Sequence, residues 1–125
     1  MEEIFYTREH FWVYVEGDIA TIGLTDYVLD NFSMISFVNL PQISSVCDKT
    51  ELIGNIVYNE DEVFEIFSPF SGEIVEVNDL VLDNPEQLFN NVKGNNWLLR
   101  IFMSDHGEIK DLISKEEYEE YAEEL

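Results

Sequence analysis

Two apolar, β-favouring runs, Leu52 to Tyr58 and Val63 to Phe67, flank the polar tetrapeptide Asn59-Glu60-Asp61-Glu62. Every non-proline residue brings a backbone donor and acceptor that need partners once buried. Two such runs lying antiparallel satisfy one another, and a short polar link between them is the sequence pattern of a β-hairpin. The chain is thereby committed to a sheet-based fold with residues 59–62 at an exposed tip.

The surrounding sequence continues the pattern. Phe11 to Val15 is aromatic and β-branched, stops at the turn Glu16-Gly17-Asp18, and resumes as the alternating run Ile19 to Gly23, which predicts another hairpin. Met34 to Leu40, ended by Pro41, Glu73 to Val77, and Trp97 to Met103 read as further strands. Short helices punctuate them. Thr25 is a plausible N-cap, followed by Asp26 at the positive helix end, with Leu24 and Leu29 at staple positions. Asn84-Pro85-Glu86-Gln87 starts another helix, and Lys93-Gly94-Asn95-Asn96 reads as a loop. A C-terminal helix opens with the capping box Ser114-Lys115-Glu116-Glu117 and the staple pair Ile113 and Tyr118. Tyr118, Tyr121, Ala122 and Leu125 share its apolar face, opposite the solvated face of Glu116, Glu119, Glu120, Glu123 and Glu124. No linker or repeat marks a boundary, so residues 1–125 are read as one domain.

Charge narrows the partners. A formal net charge of −21 repels phosphate backbones and anionic headgroups, which excludes nucleic acid and membrane-surface binding and favours basic protein partners. Aromatic residues make up 14% of the chain, enough apolar bulk to fold in spite of that charge. No apolar run reaches the roughly twenty residues a spanning helix needs. The acidic start Met1-Glu2-Glu3-Ile4 is unlike a secretory or transit signal, so a cytoplasmic location is expected.

Catalytic signatures are missing. The sequence has no GxSxG, no phosphate-cradling glycine loop and no HExxH. His10 beside Glu9 is a conceivable acid/base or ligand pair, but one histidine next to a carboxylate is more often structural. Cys47 is the sole cysteine, which precludes CxxC chemistry and fits a small packed residue. The acidic tip offers hard oxygens to calcium, but four residues cannot wrap one ion alone. No catalytic residue, metal ligand or enzymatic activity is expected.

Several strings, in order, resemble the H protein of the glycine cleavage system, a lipoyl carrier family. Tyr6-Thr7-Arg8-Glu9-His10-Phe11-Trp12-Val13 is similar to the family's YTxEHxWV, and Gly23-Leu24-Thr25-Asp26-Tyr27 to its G-[IL]-T-D-Y. Phe37 to Pro41 resembles FVxLP, Ser68 to Asn78 resembles SPxSGxIxEVN, and Asp83 to Glu86 matches DNPE. Trp97 to Ile101 and Glu117-Tyr118 extend the likeness toward the C-terminus. The resemblance implies a mainly β barrel-sandwich hybrid of the biotinyl/lipoyl-carrier type, with short flanking helices and a C-terminal helix. It also implies a protein that carries an aminomethyl group on lipoate between glycine cleavage enzymes and performs no catalysis.

At the attachment point the pattern breaks. The family's hairpin carries E-S-V-K-A, whose lysine is lipoylated. Counting from Gly54 puts that lysine at Glu60, while counting back from Ser68-Pro69 puts it at Asp61, so the hairpin reads as one residue longer. Lipoylation forms an amide from a lysine amine, and a carboxylate cannot form it. Two functions are therefore expected from the resemblance. The first is a binding or regulatory module without lipoate, docking through Asn59, Glu60, Asp61 and Glu62 onto glycine cleavage or lipoate-handling enzymes with basic surfaces. The alternative is a working carrier modified at another lysine, of which the chain has Lys49, Lys93, Lys110 and Lys115.

Overall fold

A computed structural model of the chain describes residues 3–89 and 96–124. Nine strands form two antiparallel sheets among the described residues. The larger contains β1 (Glu3–Tyr6), β2 (Phe11–Glu16), β3 (Ile19–Leu24), β5 (Val46–Cys47), β8 (Gly72–Val77) and β9 (Trp97–Met103), in the order β1-β2-β3-β9-β8-β5. The smaller contains β4 (Ile35–Asn39), β6 (Leu52–Tyr58) and β7 (Glu62–Phe67), with β6 in the middle. Helices α1 (Asp26–Leu29), α2 (Asp79–Asp83) and α3 (Lys115–Glu123) and two 3-10 turns, Pro85–Phe89 and His106–Asp111, complete it. This is the mainly β architecture that the strand pattern predicts, with short helices and a C-terminal helix.

Period-two alternation explains the core. Phe11, Val13, Ala20, Ile22, Leu24, Leu99 and Ile101 point from the large sheet into the same buried cluster as Val38, Ile56 and Ile66 from the small one. Cys47 packs there too, its thiol 3.3 Å from the Ser68 hydroxyl, as a packed residue would. The β2–β3 turn is made by Gly17 at φ +61°, a conformation that glycine adopts without steric cost.

Several elements differ from the sequence reading. Strand β4 is shorter than Met34 to Leu40 at both ends. Alternation in β8 fails at a bulge between Ile74 and Glu76, which leaves Val75 exposed beside two glutamates. Asn84 and Pro85 start a 3-10 turn rather than an α-helix. Thr25 precedes α1 as predicted, but its hydroxyl does not cap the helix. Most of the predicted Lys93–Asn96 loop and Leu125 lie outside the described residues.

The Thr25 hydroxyl instead joins α3 to the body. It lies 2.7 Å from the Tyr118 hydroxyl, which is also 2.8 Å from Nδ1 of His10. The Tyr118 ring stacks on Tyr6 at 5.1 Å, and His10 stacks on Tyr27 at 4.6 Å. Ser114 caps α3 by accepting a bond from the Glu117 amide, and a backbone bridge from Tyr6 to Ile113 ties the helix start to β1. His10 is thus part of a packing device rather than a partner of Glu9.

Burial holds the His10 imidazole below its ordinary value of 6.5, with the Glu9 charge opposing that shift. An imidazole depressed in the native state contributes stability that is fully present above its unfolded value and lost as pH falls through its native value. The comparison variant is His10→Asn, because position 10 has φ +74° and asparagine tolerates that region. Urea unfolding should show the stability difference between the protein and H10N shrinking as pH drops below 6.5. A difference that stays constant with pH would disconnect this proton from folding.

Candidate functional site

The tip of the β6–β7 hairpin is set by its ladder. Pairing runs without interruption through Gly54↔Ile66, Asn55↔Glu65, Ile56↔Phe64, Val57↔Val63 and Tyr58↔Glu62. Only Asn59, Glu60 and Asp61 are left to turn the chain, and Glu60 is equidistant from both members of every pair. The four-residue tip expected from the sequence is therefore a three-residue loop. Glu62 belongs to β7, because its pairing with Tyr58 continues the ladder.

The loop itself is tight. Asn59 has φ +45° and Glu60 φ +79°, and the Asp61 amide donates to the Asn59 carbonyl at 3.2 Å. A bond across two residues with the central φ near +75° describes the rare, strained form of γ-turn. Its central residue is a non-glycine, and the surroundings must hold it there.

Asn59 supplies that hold. Its side-chain oxygen accepts from the amides of Ser33 at 2.6 Å and Met34 at 3.2 Å, while its amide nitrogen donates to the Asn31 carbonyl at 3.3 Å. Its backbone N–H donates to the Met34 carbonyl at 3.0 Å. Beneath the loop, Tyr58 stacks on Phe32 at 4.1 Å, Phe32 meets Phe64 edge-on, and Phe64 meets Phe11 the same way. Asn59 is therefore half-buried and engaged, whereas Glu60, Asp61 and Glu62 are exposed.

Two surfaces adjoin the tip. On the solvent side of the small sheet, Phe37, Val57 and Val63 sit side by side across three strands, with Phe37 61% and Val63 54% exposed. On the other side a cleft of about 410 Å³ opens between α1 and β7, walled by His10, Tyr27, Phe32 and Phe64 with Glu62 at its edge. Among the described residues no group of three or more histidine, cysteine or acidic side chains is placed to hold a metal.

The lysines lie elsewhere. Lys49 precedes β6 and forms an ion pair with Asp111, whose carboxyl that contact holds below its usual value. At about 3.3 Å per residue, the strand path from Leu52 to the apex spans roughly 26 Å. Lys110 sits in the second 3-10 turn, and Lys115 opens α3, 4.0 Å from Glu119. Lys93 lies outside the described residues.

Sequence reasoning located the tip but missed its clamp. Residues 31–34 are distant in sequence, and the only local signal was an asparagine, the residue type that best tolerates positive φ after glycine. Asn59→Ala should lower stability by about 1–2 kcal/mol, from lost hydrogen bonds and a strained φ. Asn59→Gly should lose less, because glycine accepts that conformation. Chemical denaturation decides it, and equal losses would mean that backbone strain is not part of the tip.

With the geometry established, the relatives place it in context. Residues 4–125 match the family model described as glycine cleavage H-protein. The chain is 36% identical over 124 residues to the glycine cleavage system H protein of Halothermothrix orenii, covering 99% of this chain and 96% of that one. It is 37% identical to that of Rubrobacter xylanophilus over 123 residues, covering 98% and 94%. A crystal structure of a glycine cleavage system H protein from Mycobacterium marinum superposes with a TM-score of 0.81 at 26% identity, covering 92% of each chain. That likeness extends to the barrel-sandwich arrangement of the two sheets, as the sequence resemblance implied. The chain belongs to the glycine cleavage H-protein family.

Proposed function

We propose that this chain is an H-protein-like domain that has lost lipoate attachment. In this reading it acts as a cytoplasmic, non-catalytic binding or regulatory module in glycine cleavage or lipoate metabolism. One observation carries the reading: the hairpin apex is Glu60, and its neighbours Asn59, Asp61 and Glu62 offer no amine either. An amide to lipoate requires a lysine nitrogen to attack an activated lipoyl carboxyl, and none of these side chains has one.

What the tip does offer suits a partner. Three exposed carboxylates stand beside the apolar row Phe37, Val57 and Val63, a combination of acidic rim and greasy contact. Glycine cleavage or lipoate-handling enzymes with basic docking surfaces are the partners this fits. Association would be accelerated by opposite charge and weakened by salt. Modification at a displaced lysine is the competing reading, and two features weigh against it. Lys49 is held by Asp111 at the base of the hairpin, and Lys110 and Lys115 lie in the C-terminal segment.

Incubation with lipoate–protein ligase, lipoate and ATP, followed by intact-mass measurement, tests the proposal. The protein should gain nothing, while E60K should gain one lipoyl group and D61K little or none, since only position 60 is the apex. A lipoyl adduct on the unaltered chain, mapped to any lysine, would sink the proposal.

A further inference from the structure

Both sheets are open, so four strands lie at an edge: β1 and β5 in the large sheet, β4 and β7 in the small one. An edge strand presents unpaired backbone N–H and C=O groups, and folded proteins shorten, cover or charge such edges. Three of the four are shortened or covered. The backbone bridge between Tyr6 and Ile113 closes the end of β1, where α3 packs. β5 is only two residues long. Against β4 lie α2 and the 3-10 turn Pro85–Phe89, whose Glu86 carboxylate accepts from the Ile35 amide at 3.3 Å.

The β7 edge is open. Ser68, just beyond it, bonds toward the β6 side, its amide donating to the Glu51 carbonyl and its carbonyl accepting from the Thr50 amide. Backbone direction alternates along a strand, and the bulge in this pair lies in β6, so Ile66, Phe64 and Glu62 also turn toward β6. Val63, Glu65 and Phe67 therefore turn their N–H and C=O groups away from the sheet. No backbone hydrogen bond joins these three to another segment among the described residues. There is room alongside them. The cleft walled by His10 and Tyr27 opens beside Glu62 and Phe64, and a second cavity of about 530 Å³ opens beside Phe67 and Ser68, across from Thr7 and Arg8.

We infer that β7 takes an added strand from a basic partner protein, an extended segment with a lysine or arginine between two apolar residues at alternate positions. The inference rests on the reading of this chain as a docking module, and not on the loss of lipoate. Backbone chemistry selects the conformation. The three outward residues offer donors and acceptors that an extended segment can pair, whereas a helix uses its own groups internally. Side chains select the sequence. Val63, Glu65 and Phe67 are exposed on the outer face of the sheet, so their cross-strand neighbours are best apolar, basic and apolar. Neither Glu62 nor Glu65 has an ion-pair partner among the described residues. At the Phe67 end, Arg8 and Lys49 are matched in number by Glu9 and Asp111, so the glutamates of β7 itself set the sign. A second copy of this chain would set those same glutamates against one another, and its net charge of −21 opposes self-pairing.

The test is a titration with the acetylated and amidated peptide Lys-Val-Thr-Lys-Thr-Val-Lys, followed by NMR amide hydrogen exchange. Exchange at Val63, Glu65 and Phe67 should slow at least about tenfold, with little change at Phe64 and Ile66, which already bond to β6. N-methylating the peptide at one alternate set of residues, valines with central lysine or the two threonines, should abolish binding, and methylating the other set should not. Affinity should fall about tenfold in Glu65→Lys and recover when the peptide's central lysine is replaced by glutamate. The inference is overturned by unchanged exchange at millimolar peptide, by binding that survives both methylations, or by full affinity in E65K. Slowed exchange at the same three amides in concentrated protein without peptide would also overturn it, by assigning the edge to a second copy. Because the readout sits at the β7 amides, its failure is distinct from the appearance of a lipoyl adduct in the mass measurement.

Discussion

The register of one hairpin governs both the interior and the surface of this protein. With Ile56 opposite Phe64 and Gly54 opposite Ile66, both isoleucines enter the core, while Val57, Val63 and Glu65 face outward. Side chains alternate with a period of two, so a slip of β7 by one residue would bury Glu65 and expose Ile66. Burial therefore fixes the pairing, and the pairing fixes the apex. That position 60 is the apex follows from hydrophobic contacts made well below it.

The same hairpin is anchored from its outer end. Asn59 bonds to residues 31–34, and the stacked Tyr58 and Phe32 continue that anchor into the aromatic contacts of Phe64 and Phe11. The acidic loop is thus a held feature, exposed at its carboxylates and fixed at its asparagine. A presented, rigid, negatively charged tip is more useful for recognition than a free one, because less freedom is lost on binding.

Much of this was legible in the sequence wherever local pattern decides structure. β6 and β9 match their predicted limits, since β-branched and aromatic runs bounded by turn residues leave little choice. Features set by distant partners were not legible. The edge strand β1 is defined by its pairing with β2, and β5 is only two residues long. Helix α2 was missed although Asn78 caps it, because its run Leu80-Val81-Leu82 shows no helical period and only Val81 is buried. Counting along the chain left Glu60 and Asp61 equal as the apex, and only cross-strand pairing separates them.

Family membership and site chemistry thus point in different directions. The frame is that of an H protein along nearly all of its length, while the apex carries a carboxylate. Loss of the attachment chemistry with retention of the docking frame is the central claim. Its most direct test is the intact mass of the protein isolated from its own cells, where every endogenous modifying enzyme has had access to it. The account predicts a single species with no lipoyl group on any lysine, Lys93 included. A population heavier by one lipoyl group would contradict it.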